Sequence, residues 1–214
     1  MHHLIALAAA GFAADEIIVT SERRATDRRD APASISLLGT DDLRRIAPDH
    51  PAEALNRIAG AYVHRGSGQE HLTAIRSPVL TGGAGAGSFL ILEDGVPVRA
   101  PAFANVNELF ETSLEFADAV EVAKGPSGAF YGANAIHGVV NVRTPSAADD
   151  RTQAAFSVDT IGRTKLSGVY ARRGFVGALY ALDDTGGRAD SGVDLQKAMI
   201  GFEGGRGASA ATIK

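Results

Sequence analysis

Cysteine is absent from the 214 residues. That excludes disulfide cross-links, thiolate zinc centres and a cysteine nucleophile. Tryptophan is absent as well, and aromatic residues make up only 6% of the chain. No apolar run reaches the about 20 residues that a membrane-spanning helix needs. An excess of positive charge is missing too: the formal net charge is −4, so the composition offers no field for holding nucleic acid. Glycine, by contrast, is plentiful at 25 residues. Many glycines with few aromatics signal tight turns and close backbone approaches. With 45% hydrophobic and 21% charged residues, the chain is long enough for one or two domains with a real core.

The N-terminal residues 1–14 read as a short secretory signal. Leu4 to Ala10 form an apolar run, and Gly11, Phe12, Ala13 and Ala14 supply small residues for cleavage. The n-region carries no Lys or Arg. Residues 15–30 form a β-prone patch, Ile17-Ile18-Val19-Thr20, running into the charged stretch Asp27-Arg28-Arg29-Asp30.

From residue 31 the pattern alternates between short strands and short helices. Strands are expected over 34–38, 61–64, 72–75, 89–92, 120–122 and 139–142. Helices are expected over 41–46, capped by Thr40, and from Pro51 with the stripe Ala54, Leu55, Ile58 and a stop at Gly60. Asn107 to Phe116 also reads as helix. Asp94-Gly95 is a hairpin signal before Val96-Pro97-Val98. Pro145 closes this small α/β unit. After Asp150 the texture changes to successive strands over 156–161, 164–171, 175–182 and 197–203, an up-and-down meander. Leu166, Gly168 and Tyr170 share one face there, and Lys165, Ser167 and Val169 the other. Such alternation suits a half-buried sheet or a barrel wall between lipid and a polar lumen.

Enzyme signatures fail on context. The glycines of Gly83-Ala84-Gly85-Ala86-Gly87 precede a strand rather than open a helix, so they build no phosphate loop. Gly125-Pro126-Ser127-Gly128-Ala129 lacks the glycine pattern of a nucleophile elbow. The six His residues show no metal-ligand spacing. No catalytic residue, metal site or cofactor is expected.

Val120-Glu121-Val122-Ala123-Lys124-Gly125-Pro126, continuing through Tyr131-Gly132 to Gly138-Val139-Val140-Asn141-Val142-Arg143-Thr144, closely resembles the end of the plug domain in TonB-dependent outer-membrane receptors. Three further segments resemble the same family in the same order: Ala54-Leu55-Asn56-Arg57-Ile58-Ala59-Gly60, Ala74-Ile75-Arg76, and Leu92-Glu93-Asp94-Gly95-Val96-Pro97-Val98. The resemblance covers roughly residues 15–145. It implies an α+β fold: a small mixed-sheet plug over 31–145, then an incomplete antiparallel β meander over 146–214, the start of a 22-stranded barrel of the plugged class.

It also implies a mechanism and its residues. The inner-membrane partner TonB pulls on an N-terminal box, which Glu16, Ile17, Ile18, Val19 and Thr20 resemble; the physical basis is addition of an extended strand to a sheet edge. The same residues also suit an ordinary N-terminal strand. Arg76 and Lys124 match basic positions that face barrel carboxylates and lock plug to barrel, because a buried charge must be paired. Lys124 departs from the Arg often found there, which weakens bidentate geometry. Arg65, Gln69, His71, Gly85, Arg99 and Phe103 fall in the loops expected to face a small-molecule ligand, a metal chelate such as a siderophore. The expected location is the outer membrane.

Only 69 residues follow Pro145, room for at most about five transmembrane strands of 9–11 residues each. The sequence is therefore expected to be a fragment or truncated product. A stand-alone periplasmic module that binds ligand or TonB is the alternative.

Overall fold

A computed structural model describes residues 18–19, 26–27, 30, 34–66, 68–77, 79, 88–100, 106–148, 150–160, 162–204 and 211–213. The signal-like residues 1–14 lie outside them. At the N-terminus β1 (Ile18–Val19) pairs antiparallel with β2 (Thr26–Asp27) in a two-residue ladder joined to no other sheet among the described residues.

The plug is built on one mixed sheet. Its strands are β3 (Ser34–Leu38), β6 (Phe89–Glu93), β7 (Val96–Pro97), β8 (Ala119–Lys124) and β9 (Gly138–Arg143), in the spatial order β3-β8-β9-β6-β7. The β6–β9 pairing is parallel and the others antiparallel. The central strands are nearly continuous apolar runs because both faces of the sheet are covered. One face carries the main core, where Leu55, Ile75, Ile91, Val120, Val122, Val140 and Val142 are buried. The other carries a smaller cluster of Ile35, Leu90, Leu92, Ala123, Tyr131 and Val139.

Over the larger core lie α1 (Thr40–Ile46), α2 (Pro51–Leu55) and the hairpin of β4 (Ala61–Arg65) with β5 (His71–Ile75). Thr40 is the first helical residue rather than the cap; Gly39 occupies the cap, and the Thr40 hydroxyl donates to the Asp118 carbonyl at 2.9 Å. His50 caps α2, its Nδ1 accepting from the Ala52 amide at 3.1 Å, and Pro51 fills the first turn. Asp94 and Gly95 have φ of 49° and 80°, the double left-handed geometry of a type I′ hairpin turn. The Asp94 carboxylate accepts from the Thr144 amide at 2.9 Å and its hydroxyl at 2.7 Å.

Two local expectations are corrected. Residues 107–116 are not one helix but two 3-10 turns, Glu108–Glu111 and Leu114–Phe116. The Ser113 amide between them donates to the Glu93 carboxylate at 2.7 Å, which removes it from a helical ladder. A short helix α3 (Gly128–Tyr131), not expected from the sequence, follows Pro126 and buries Tyr131 over the smaller core.

The meander is an open five-stranded sheet in sequential order: β10 (Arg151–Val158), β11 (Arg163–Arg172), β12 (Phe175–Asp184), β13 (Val193–Gly204) and β14 (Ala211–Ile213). Its registers place Phe156, Leu166 and Ala181 in one row and Gly168, Leu179 and Ala198 in the next. Among the described residues no helix is long and apolar enough to cross a membrane.

Candidate functional site

The meander has two chemically different faces. Outward side chains include Phe156, Leu166, Tyr170, Leu179, Ile200 and Phe202, all exposed. Tyr170, Phe175 and Phe202 form an aromatic group at the end nearest the tight Arg173-Gly174 turn, with ring centroids 6.1 and 5.2 Å apart. The opposite parity turns toward the plug. Val169, Ala178, Tyr180, Leu182 and Leu195 are buried there against Phe116.

Charged residues of the same inward face bind the plug. Asp49 receives both Arg163 Nη1 at 2.8 Å and Lys165 Nζ. Asp118 receives Arg151 Nη1. Lys197 Nζ is surrounded by oxygen, with the Phe110 carbonyl at 2.8 Å, the Thr112 carbonyl at 2.7 Å and the Glu115 carboxylate at 2.7 and 2.8 Å. Burial pushes the Glu115 carboxyl above its ordinary value more than Lys197 pulls it down. The joint between the halves is closed by Glu203, which accepts from the Ser146 hydroxyl and the Ala147 amide at 3.0 Å. Sequence reasoning missed these partners; the alternation of charge with small residues along β10, β11 and β13 is the signal that carries them.

Arg76 and Lys124 stand side by side across Gly60, where a Cβ would touch both side chains, 3.5 Å from Arg76 Cγ and 3.6 Å from Lys124 Cδ. Arg76 donates to the Ser34 hydroxyl at 3.1 Å and the Lys124 carbonyl at 3.4 Å. Lys124 Nζ donates to the Ser36 hydroxyl at 2.8 Å and the Ala59 carbonyl at 3.1 Å. Among the described residues neither makes an ion pair with a carboxylate. Burial first, and then the Arg76 charge, holds the Lys124 ammonium below its ordinary value.

The expected ligand loops divide. Gly85 and Phe103 lie outside the described residues. Arg65, Gln69, His71 and Arg99 are brought into one neighbourhood at the β4–β5 hairpin. Arg65 pairs with Glu53 at 3.2 Å, Gln69 Nε2 donates to the Asp49 carbonyl at 3.4 Å, and Arg99 Nε donates to Glu111 at 3.0 Å. His71 does not present itself to solvent: it is 2% exposed. Its Nδ1 lies 2.9 Å from the Gln69 carbonyl, and its ring stands edge-on to His50 with centroids 5.6 Å apart. Asn107, which the sequence did not single out, clamps the cluster by accepting from the His71 amide at 2.7 Å. Burial, then Arg65 and His71, pulls the His50 imidazole down to about 4; burial likewise lowers His71. No group of three or more metal-ligating side chains occurs among the described residues.

Of the TonB-box candidates, Ile18 and Val19 form β1, which among the described residues pairs with Thr26–Asp27. Glu16, Ile17 and Thr20 lie outside the described residues.

Residues 27–139 match the TonB-dependent receptor plug domain family. The chain is similar to the vitamin B12 transporter BtuB of Vibrio vulnificus strain CMCP6, 29% identical over 133 residues, 62% of this chain. It spans 21% of that relative's length. Among solved structures, the pyoverdine outer membrane receptor FpvA from Pseudomonas aeruginosa PAO1 superposes with TM-score 0.66 at 13% identity, covering 87% of this chain and 27% of that one. The Serratia marcescens hemophore receptor HasR superposes with TM-score 0.57 at 16% identity, covering 83% and 30% respectively.

Proposed function

Since this chain belongs to the TonB-dependent receptor plug domain family, we propose that it is the plug and first wall strands of an outer-membrane receptor for TonB-driven uptake of a metal chelate such as a siderophore. The observation that carries the reading is the two-sided meander. Its inward face combines an apolar patch packed on Phe116 with cations tied to the plug through Asp49, Glu115 and Asp118, while its outward face carries exposed apolar side chains. That alternation is the signature of a membrane barrel wall. A soluble periplasmic module is served poorly by it, since a contiguous apolar face of this kind in water invites association.

Within this reading, Arg76 and Lys124 receive carboxylates from wall strands other than those described. Two adjacent cations that, among the described residues, hold hydroxyls and carbonyls suit such a partner. The Arg65–Gln69 turn and Arg99 form the outer surface that meets ligand, and His50, His71 and Asn107 hold it in shape. Residues 16–20 form the strand that TonB captures; among the described residues β1 is tied by two residue pairs, a contact that exchanges readily for a longer ladder.

The test is uptake by the whole receptor in cells. Deleting residues 15–21 is expected to abolish TonB binding and chelate uptake while ligand binding at the cell surface persists. Uptake that survives the deletion rules out the box assignment. The receptor reading itself fails when no chelate binds the surface of cells making the protein.

A further inference from the structure

The plug does not fill the space against its wall. Between α1, the second 3-10 turn and the inner faces of β10–β12 lies a cleft of about 130 Å³. It exists because the inward residues there, Ala155 and Ser167, are small. A water takes about 30 Å³, so the cleft admits a few waters or one small polyatomic ion.

Its polar lining is unbalanced. Arg44, Arg151 and Lys165 face it against one carboxylate, Glu115. That carboxylate is already engaged by Lys197 at 2.7 and 2.8 Å. The cations have outside partners in turn, namely Asp41, Asp118 and Asp49. Two buried polar atoms remain on residues that line the cleft. Arg151 Nε and the Tyr180 hydroxyl are buried and hydrogen-bond to nothing among the described residues, and Tyr180 is 3% exposed. Arg151 is not loose: its other two nitrogens hold Asp118 and, at 3.0 Å, the Gln153 amide oxygen. The ring of Tyr180 is packed with Val169, Ala178 and Leu182. Both groups are therefore fixed in place; Arg151 Nε–H can only donate, so a group that satisfies it must accept, and the Tyr180 hydroxyl is able to donate to the same group. A charged acceptor makes a shorter and stronger hydrogen bond to the Arg151 guanidinium than a neutral one does.

We propose that this cleft binds an oxyanion group, the phosphate, sulfate or carboxylate of a small solute, with Arg151 Nε–H and Tyr180 O–H donating to it and Arg44 and Lys165 lining its rim. The site lies between plug and wall rather than at the ligand-facing loops. It is read by binding, so its failure and the failure of the uptake reading are separate results.

The test is calorimetric titration of the full-length receptor, purified in detergent, with sodium phosphate, sodium sulfate and sodium acetate at constant ionic strength. At least one anion is expected to bind saturably. Tyr180→Phe, which removes one oxygen and keeps the packing, is expected to weaken it about tenfold, the effect of losing one hydrogen bond to a charged group of about 1.4 kcal/mol. Arg151→Gln should weaken it further, with retained heat-modifiable gel mobility showing that the variant is folded. Binding of acetate alone identifies a carboxylate-bearing solute; binding of phosphate or sulfate identifies a tetrahedral oxyanion. Absence of saturable binding for all three overturns the proposal, as does affinity unchanged by Tyr180→Phe, whatever Arg151→Gln does.

Discussion

Gly138 shows how tightly a single position is determined. It opens β9 beside β8, and a Cβ there would lie 2.5 Å from the Ala123 carbonyl oxygen and 3.0 Å from Ile75 Cγ2. Backbone cannot yield as a flexible side chain does. Gly138→Ala is expected to destabilise the plug by about 1–3 kcal/mol through overpacking, measured as a lower urea midpoint. His50 makes a second prediction at this scale. Its imidazole is held to about 4 in the fold by burial, then by Arg65 and His71, against about 6.5 in an unfolded chain. The unfolded state therefore binds the proton more readily. Stability from this group is complete above about pH 6.5 and is lost as pH falls toward 4, by about 3 kcal/mol. His50→Asn keeps an acceptor for the Ala52 amide and should flatten that slope. Equal acid sensitivity of the wild type and the variant would contradict it.

At the scale of elements, the second 3-10 turn and β13 are joined by Lys197 and Glu115, whose side chains are 15% and 7% exposed. Removing one member of a buried pair leaves the other charge uncompensated and costs about 3–5 kcal/mol, while replacing both with apolar groups is often near neutral. Lys197→Met is expected to lower the thermal midpoint of the receptor, and Lys197→Met with Glu115→Leu to recover part of it. A double variant no better than the single one would show that Lys197 acts through the Phe110 and Thr112 carbonyls instead. Most strands of both halves were legible because they are short, apolar or strictly alternating, and bounded by Gly, Pro and Asp; β10 is the exception, spanning Arg151–Val158 rather than 156–161, because its polar N-terminal half is set by pairing with β11. Residues 107–116 were not, since helical spacing of Leu109, Phe110 and Leu114 does not reveal that Glu93, distant in sequence, captures the Ser113 amide. The ligand-loop residues were legible as a neighbourhood but not in their roles. Polarity marked His71 for the surface, whereas pairing with Arg65 and the Asn107 clamp bury it. The plug–wall partners Asp49 and Asp118 looked like ordinary helix and strand flanks, because each acquires its role from a strand more than thirty residues away.

For the whole molecule, the central claim is that the meander separates lipid from a plugged lumen. The same β strands must then show two environments with a period of two. A charge introduced on the outward face tests this energetically. Leu179→Arg is expected to destabilise the membrane-inserted receptor by about 2–4 kcal/mol if the site lies near the bilayer midplane, and less toward an interface, while the inward neighbour Ala178 carries no lipid contact to lose.

The most direct measurement exploits the absence of cysteine. Single cysteines placed in turn at positions 176–182 and 195–201 of the full-length receptor, labelled with a nitroxide and reconstituted in vesicles, report their surroundings by relaxation with oxygen, which concentrates in lipid, or with a water-soluble nickel complex. The account predicts oxygen-dominated relaxation at 177, 179, 181, 196, 198 and 200, and shielding from oxygen at 176, 178, 180, 182, 195, 197, 199 and 201. Equal access of the nickel complex to both sets, or no alternation along β12 and β13, would contradict it.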